Sequence, residues 1–309
     1  MSTSVETASA TAAPAAPQIV VERRRWRPPQ LGIAKRFVFI LVLIGLSILF
    51  IYPFVWAVSA SLKPNGQTFD NKLIPQTFRP ENYVDVWNIQ DAPMLRWFFN
   101  SVWIGVLAAL AVTFSSALVA FAFAYFRFPG RNLLFGILLA TMMLPPQVTM
   151  IPTYLIWNEL GLVNTQYPLW VPNLFTSAFY VFLQRQFFLG IPRDLFEAAR
   201  IDGDNYFTMF WRIAVPLAKP ALIVTFIFEF QAKWFDLMTP LIYLRDAALF
   251  TLPLGLKTIL DSFGQGGGGE GEWNIIVTAT VIATIPMIVI FGIFQRYFVQ
   301  GATAQGRKG

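Results

Sequence analysis

The sequence predicts an all-α membrane protein with six transmembrane helices, on three observations. First, the 309 residues are 56% hydrophobic and only 13% charged, with a mean hydropathy of +0.55. Soluble domains carry about 25% charged residues, so lipid is the expected solvent. Second, five runs without a charge, 37–59, 97–126, 132–158, 160–184 and 273–295, each supply the roughly 20 apolar residues a span needs. One more, about 218–241 and fifth in chain order, is interrupted by Glu229, Lys233 and Asp236. Third, the basic residues fall on alternate loops, as six spans with both termini in the cytoplasm require.

Residues 1–35 are rich in Ala, Thr, Ser and Pro and end in a basic cluster, Arg23 to Arg27 with Lys35 and Arg36. Such a tail cannot build a core and is expected to be disordered in the cytoplasm. The run at 37–59 is longer than the roughly 7–15 apolar residues of a signal peptide and is read as a retained span. The permease body is expected over 36–298, and a cytoplasmic tail over 299–309.

Pro145 and Pro146 are expected to kink or break the third run. Pro172 and Pro286 are the corresponding bend positions in the fourth and sixth. Sixteen Lys and Arg then fall in the tail, 127–131, 185–219 and the C-terminus, against six in the outer loops, with Lys233 inside the fifth run.

Composition also excludes chemistry. The chain has no Cys and no His, so thiolate nucleophiles, Cys/His metal sites and His bases are absent. No Gly-x-x-x-x-Gly-Lys-Ser/Thr stretch exists to cradle ATP. The carboxylates are scattered, which argues against a membrane enzyme. No internal repeat stands out, which argues against a stand-alone secondary transporter. Positive charge distributed by loop calls for membrane lipid and no nucleic acid.

The stretch 191–219 is the most informative. Pro192 precedes a short helix, Asp194 complements its first turn, and Gly203 is suited to its C′ position. Asp204 or Asn205 can cap a second helix carrying Tyr206, Phe207, Phe210 and Trp211, with Pro216 closing it. Ala198 and Ala199 leave a flat surface flanked by Glu197 and Arg200. The spacing alone admits two readings: a helix docked in a partner's groove, or an amphipathic helix resting on lipid headgroups.

Glu197-Ala198-Ala199, then three residues, Gly203, then nine residues and Ile213-Ala214-Val215-Pro216 resemble the EAA loop of binding-protein-dependent ABC importer permeases. Val215 stands where that pattern usually has Leu. Arg127-Phe128-Pro129-Gly130-Arg131, Pro80-Glu81-Asn82-Tyr83 and Leu183 to Phe188 resemble the carbohydrate branch, in particular permeases like the second membrane subunit of the maltose importer. The resemblance runs from about residue 35 to the end.

It implies the type I importer fold, set in a bacterial cytoplasmic membrane, and carriage of a sugar or related polyol. It makes 191–219 a coupling loop on a separate ATPase dimer, with Glu197, Ala198, Ala199, Asp202, Gly203, Ile213 and Pro216 as coupling residues. Glu197 would make the charged contact and Gly203 the turn. The chain itself would bind no cofactor; ATP and Mg would sit on the ATPase. A second permease and an extracytoplasmic solute-binding protein are the other implied partners. The terminal stretch from Gly301 resembles a tail that reaches into the ATPase.

Glu229, Lys233 and Asp236 are spaced to share one helical face. Ionisable groups at membrane depth face the bundle or a wet cavity. They serve a polar pathway, or form a self-neutralising ladder that fixes packing, or lie near the outer interface where water reaches. The family usually has Trp-Asn-Asp here, and this chain has Trp234-Phe235-Asp236. Asn173, Tyr180 and Trp234 complete the pathway candidates; the two aromatics could stack on sugar rings. In the outer loops, a short helix is expected around Tyr83, Val86 and Trp87. The glycine-rich run within 242–272 is expected to act as a flexible link.

Overall fold

A computed structural model describes residues 32–89, 92–263 and 271–305. The basic cluster at 23–27, the glycine run at 264–270 and the last four residues lie outside them. Two compact units are distinguished, up to Ile51 and from Tyr52 onward; the first holds the greater part of the opening helix.

The described residues are helical with no strand. The order begins α1 (Ile33–Ser61), α2 (Asn82–Asp85), α3 (Met94–Tyr125), α4 (Arg131–Thr141) and α5 (Pro146–Glu159). It continues α6 (Tyr167–Trp170), α7 (Ala178–Leu189), α8 (Arg193–Ile201), α9 (Tyr206–Met209) and α10 (Val215–Leu217). It closes with α11 (Lys219–Trp234), α12 (Met238–Tyr243), α13 (Leu252–Phe263) and α14 (Trp273–Gln305). Among the described residues three helices are long and apolar enough to cross a membrane: α1, α3 and α14. Two bent pairs could each add one, α4 with α5 at 92°, and 206–217 with α11 at 78°.

Helix α3 is the axis of the second unit and packs on α7, α11 and α13. Its buried face is built from small residues, Ala108, Ala109, Ala117 and Ala120, each fully buried. Without a hydrophobic drive between helices in lipid, small residues let backbones approach and gain dispersion contact. Gly105 shows the closeness: a Cβ there would meet the Phe230 ring of α11 at 3.0 Å.

The proline breaks divide as follows. Pro145 and Pro146 do break the third run, with Pro146 opening α5. The fourth run, expected as one span, is interrupted: Val171–Phe175 forms a 3-10 turn with Pro172 as its second residue, and Thr176 has φ +71°. The fifth is also split, because α11 ends at Trp234 and α12 begins at Met238. Helix α14 runs on through Pro286 to Gln305.

In the segment after α1, Asn82 is a fully buried latch. Its Nδ2 donates to the carbonyls of Ser61 (2.8 Å) and Lys63 (2.9 Å), and its Oδ1 accepts from Asn274 Nδ2 (2.9 Å). The expected short helix forms around it, as α2 and the 3-10 turn at 86–88. Residues 242–263, expected as loop, instead carry α13 clamped on α3. Trp97 Nε1 donates to Ala247 O (2.7 Å), and Asn100 Nδ2 donates to the carbonyls of Ala248 and Phe250. Ser101 Oγ accepts from Leu252 N (2.7 Å).

Candidate functional site

Two polar constructions stand out, one at the 191–219 hairpin and one at the break in the fourth run. In the hairpin, α8 spans nine residues, with Pro192 before it and Asp194 in its first turn. Its end is closed as the spacing predicts. Gly203 adopts φ +89°, its N–H donates to Arg200 O (3.2 Å), and Asp204 N donates to Ala199 O (2.9 Å). This paired closure needs the left-handed conformation that glycine adopts without strain. Asn205 then caps α9, its side chain accepting from Thr208 N at 2.8 Å.

The aromatic stripe is not offered whole to a partner. Phe196 and Phe210 are buried against Phe121 on α3, and Phe196 also meets Tyr125. Tyr206 packs edge-on to Phe126, with the Arg200 guanidinium over its outer side. Trp211 rests on Phe114 of α3 at 5.8 Å with its other side exposed, and Phe207 is the most exposed ring of the four. Three of the four rings therefore fasten the hairpin to α3. Ala199 packs inward as well, while Glu197, Ala198, Asp202 and Gly203 face outward beside Ile201, which is 87% exposed. Ile213 is half-buried and Pro216 exposed. Glu197 makes no ion pair among the described residues. Residues 210–214 are wound as a π-helix just before Pro216, which lacks an N–H for the Arg212 carbonyl and crowds it.

At the second construction, the broken backbone of 171–177 is met by hydroxyls of α3. Ser115 Oγ donates to Asn173 O (3.2 Å), and Ser116 Oγ lies 2.8 Å from Thr176 Oγ1. Irregular backbone at membrane depth survives only where protein or a cavity satisfies it. The break aims Asn173 at α11, where its Nδ2 donates to Glu229 Oε1 at 2.6 Å. Lys233 Nζ stands 3.9 Å from the same oxygen, and the Tyr180 hydroxyl faces the carboxylate from α7. One turn away, fully buried Gln184 donates to Thr113 O (3.3 Å) and Thr225 Oγ1 (3.0 Å), tying α7 to α3 and α11. Gln184 Oε1 and Thr113 Oγ1 have no partner among the described residues.

Four of the six candidates, Asn173, Tyr180, Glu229 and Lys233, thus meet. Trp234 does not join them. It is 2% exposed, packed on Phe98 and Phe230, with Nε1 donating to Ala283 O. Asp236 does not share the face of Glu229 and Lys233 either. The helix ends before it, and its Oδ1 caps the next turn through Thr239 N (3.0 Å). Among the described residues no group of three or more acidic side chains could hold a metal.

The described residues form an all-helical bundle with a buried polar cluster and a fastened amphipathic hairpin, the architecture of an importer's membrane permease. Residues 114–303 match the family described as binding-protein-dependent transport system inner membrane component, and the chain belongs to that family. It is 33% identical to the arabinooligosaccharides transport system permease protein AraQ of Bacillus subtilis (strain 168), over 91% of this chain and 98% of that one. The sn-glycerol-3-phosphate transport system permease protein UgpE of Yersinia enterocolitica is 32% identical, over 86% and 94%. A chain from the crystal structure of a bacterial ABC transporter involved in import of the acidic polysaccharide alginate superposes with a TM-score of 0.76 at 23% identity, covering 88% of this chain and all of that one. A second structure of an alginate ABC transporter, bound to a pentasaccharide-loaded periplasmic protein, matches at 0.59 and 14%, over 84% and 93%. At these identities the superpositions show a common fold.

Proposed function

We propose that this chain is one half of the membrane channel of an ATP-driven importer for a sugar or related polyol. In this reading the chain crosses the membrane six times, with α4–α5 as the third span, α6–α7 as the fourth and 219–243 as the fifth. Both termini lie in the cytoplasm. A separate ATPase dimer binds ATP and Mg, a second permease completes the channel, and a solute-binding protein delivers the cargo. The transport systems named for the relatives carry an oligosaccharide and a polyol phosphate, which supports a polyhydroxylated solute.

The observation that carries the reading is the mounting of α8. Its buried side is locked to α3 by Phe196 and Ala199, and its free side presents Glu197, Ala198 and Ile201. Movement of a docked ATPase would therefore pull on α3, and through Gln184 on α7 and α11 around Glu229. Such switching needs two packings with different interactions in each. The residues proposed for coupling are Glu197, Ala198, Ala199, Asp202, Gly203, Ile213 and Pro216. Those proposed for the pathway are Asn173, Tyr180, Glu229 and Lys233.

The test is co-expression with the ATPase and companion permease of the same operon, comparing wild type with Glu197→Lys plus Gly203→Asp. The wild type should co-purify with the ATPase, and the double variant should insert in the membrane but lose it. Normal association of the variant, or none by the wild type, would reject the coupling assignment.

A further inference from the structure

Beside the hairpin lies a second cleft, of about 530 Å³, lined by Arg127, Phe128, Gly130, Arg131, Asn132, Leu133 and Arg193. It carries three guanidinium groups and no carboxylate. Glu197 belongs to the adjoining cavity, which shares Arg127 and Arg193 with this one. Arg131 spends one donor on Phe126 O (3.2 Å). Arg127 and Arg193 are exposed and make no ion pair among the described residues. The cleft also opens at the first turn of α4, whose dipole adds positive potential.

The apolar border is the second observation. Leu133 lines the cleft and is 70% exposed, and Ile137, one turn further along the same face, is 54% exposed. Cationic floor and bare aliphatic wall are thus continuous. A soluble anion would use only the first, whereas a lipid uses both. We infer that this cleft binds the phosphate of an anionic phospholipid headgroup, with an acyl chain laid along Leu133 and Ile137. Guanidinium pairs phosphate oxygens bidentately, and basic pockets at the ends of spanning helices suit anionic headgroups. The inference rests on the reading that α4 opens a membrane span.

Native mass spectrometry of the full chain, purified with whatever subunits accompany it, tests this. Phosphatidylglycerol, phosphatidylcholine and inorganic phosphate are titrated in turn. The variant is Arg127→Gln with Arg193→Gln; the charge-matched control is Arg79→Gln with Arg245→Gln, at exposed arginines elsewhere. Phosphatidylglycerol should bind the variant about thirtyfold more weakly, roughly fivefold per arginine, and the control like wild type. Equal binding by the variant, or phosphatidylcholine binding the wild type as tightly, would overturn the assignment. Displacement of the lipid by equimolar inorganic phosphate would make it a free-phosphate site and overturn it too. Subunit masses in the same spectra report assembly separately, so failure of the importer reading is distinguishable from failure of this one.

Discussion

Asn173 Nδ2 donates to Glu229 Oε1 at 2.6 Å, joining the break in the fourth apolar run to the middle of α11. The carboxylate is 8% exposed, and its second neighbour, Lys233, stands at 3.9 Å. Asn173→Leu therefore leaves a buried carboxyl oxygen short of a donor. A cost of about 1–3 kcal/mol is expected. Glu229→Gln keeps an acceptor and should be milder. Melting in detergent, with solute uptake in cells alongside, checks both; an unshifted Asn173→Leu would mean that the bond contributes nothing.

Phe196 is the rivet of the hairpin, 4% exposed between Phe121 and Tyr125. Phe196→Ala opens a cavity that typically costs about 3–5 kcal/mol. The hairpin should then move independently of α3, so solute imported per ATP hydrolysed should fall even where the ATPase still docks. Reconstituted vesicles measure that ratio. An unchanged ratio would place the link elsewhere.

Gly255 on α13 sits against the Trp97 indole, and a Cβ there would lie 2.0 Å from Cε3. Trp97 is 1% exposed and held by Ala247 O, so it cannot turn aside. Gly255→Ala should destabilise the clamp by more than the about 1–3 kcal/mol of ordinary overpacking. Reduced membrane yield and faster proteolysis within 242–263 would report it, whereas Gly66→Ala, with nothing near its Cβ, should be silent.

In the loop after α1, Lys63 is wholly buried and pairs with Asp70 while donating to Lys72 O (2.7 Å). The hydrogen bond from Lys63 holds the Asp70 carboxyl below its ordinary value of 3.8. A carboxyl with a lowered folded value stabilises above its unfolded value and loses that contribution as pH falls through the folded one. The loop should thus hold its pairing at neutral pH and loosen below about pH 3.8. Trp273 fluorescence, reporting through Phe69 at 5.4 Å, should follow this in the wild type and not in Asp70→Asn.

Much of the hairpin was legible because its signals are local. Pro192, Gly203 and Asn205 act within one turn of themselves, and the structure uses each at its expected position. The break at Pro145 and Pro146 is legible for the same reason. The split of the fifth run was not. Spacing put Asp236 on the face of Glu229 and Lys233 only if the helix continued, and it stops at Trp234. Aromatic content likewise could not say which rings of α9 face inward, since that depends on where Phe121 and Tyr125 of α3 stand.

The sequence by itself determined the solvent and the class of this protein. Apolar runs and uneven positive loops are properties of consecutive residues, set by the cost of a charge or an unpaired peptide in hydrocarbon. Tertiary structure alone decided which polar groups meet. Asn173 and Glu229 lie 56 positions apart, and Asn82 and Asn274 lie 192 apart. No local periodicity encodes such pairings. They follow from small residues on α3 that let α7 and α11 approach, and from breaks that turn buried side chains toward one another.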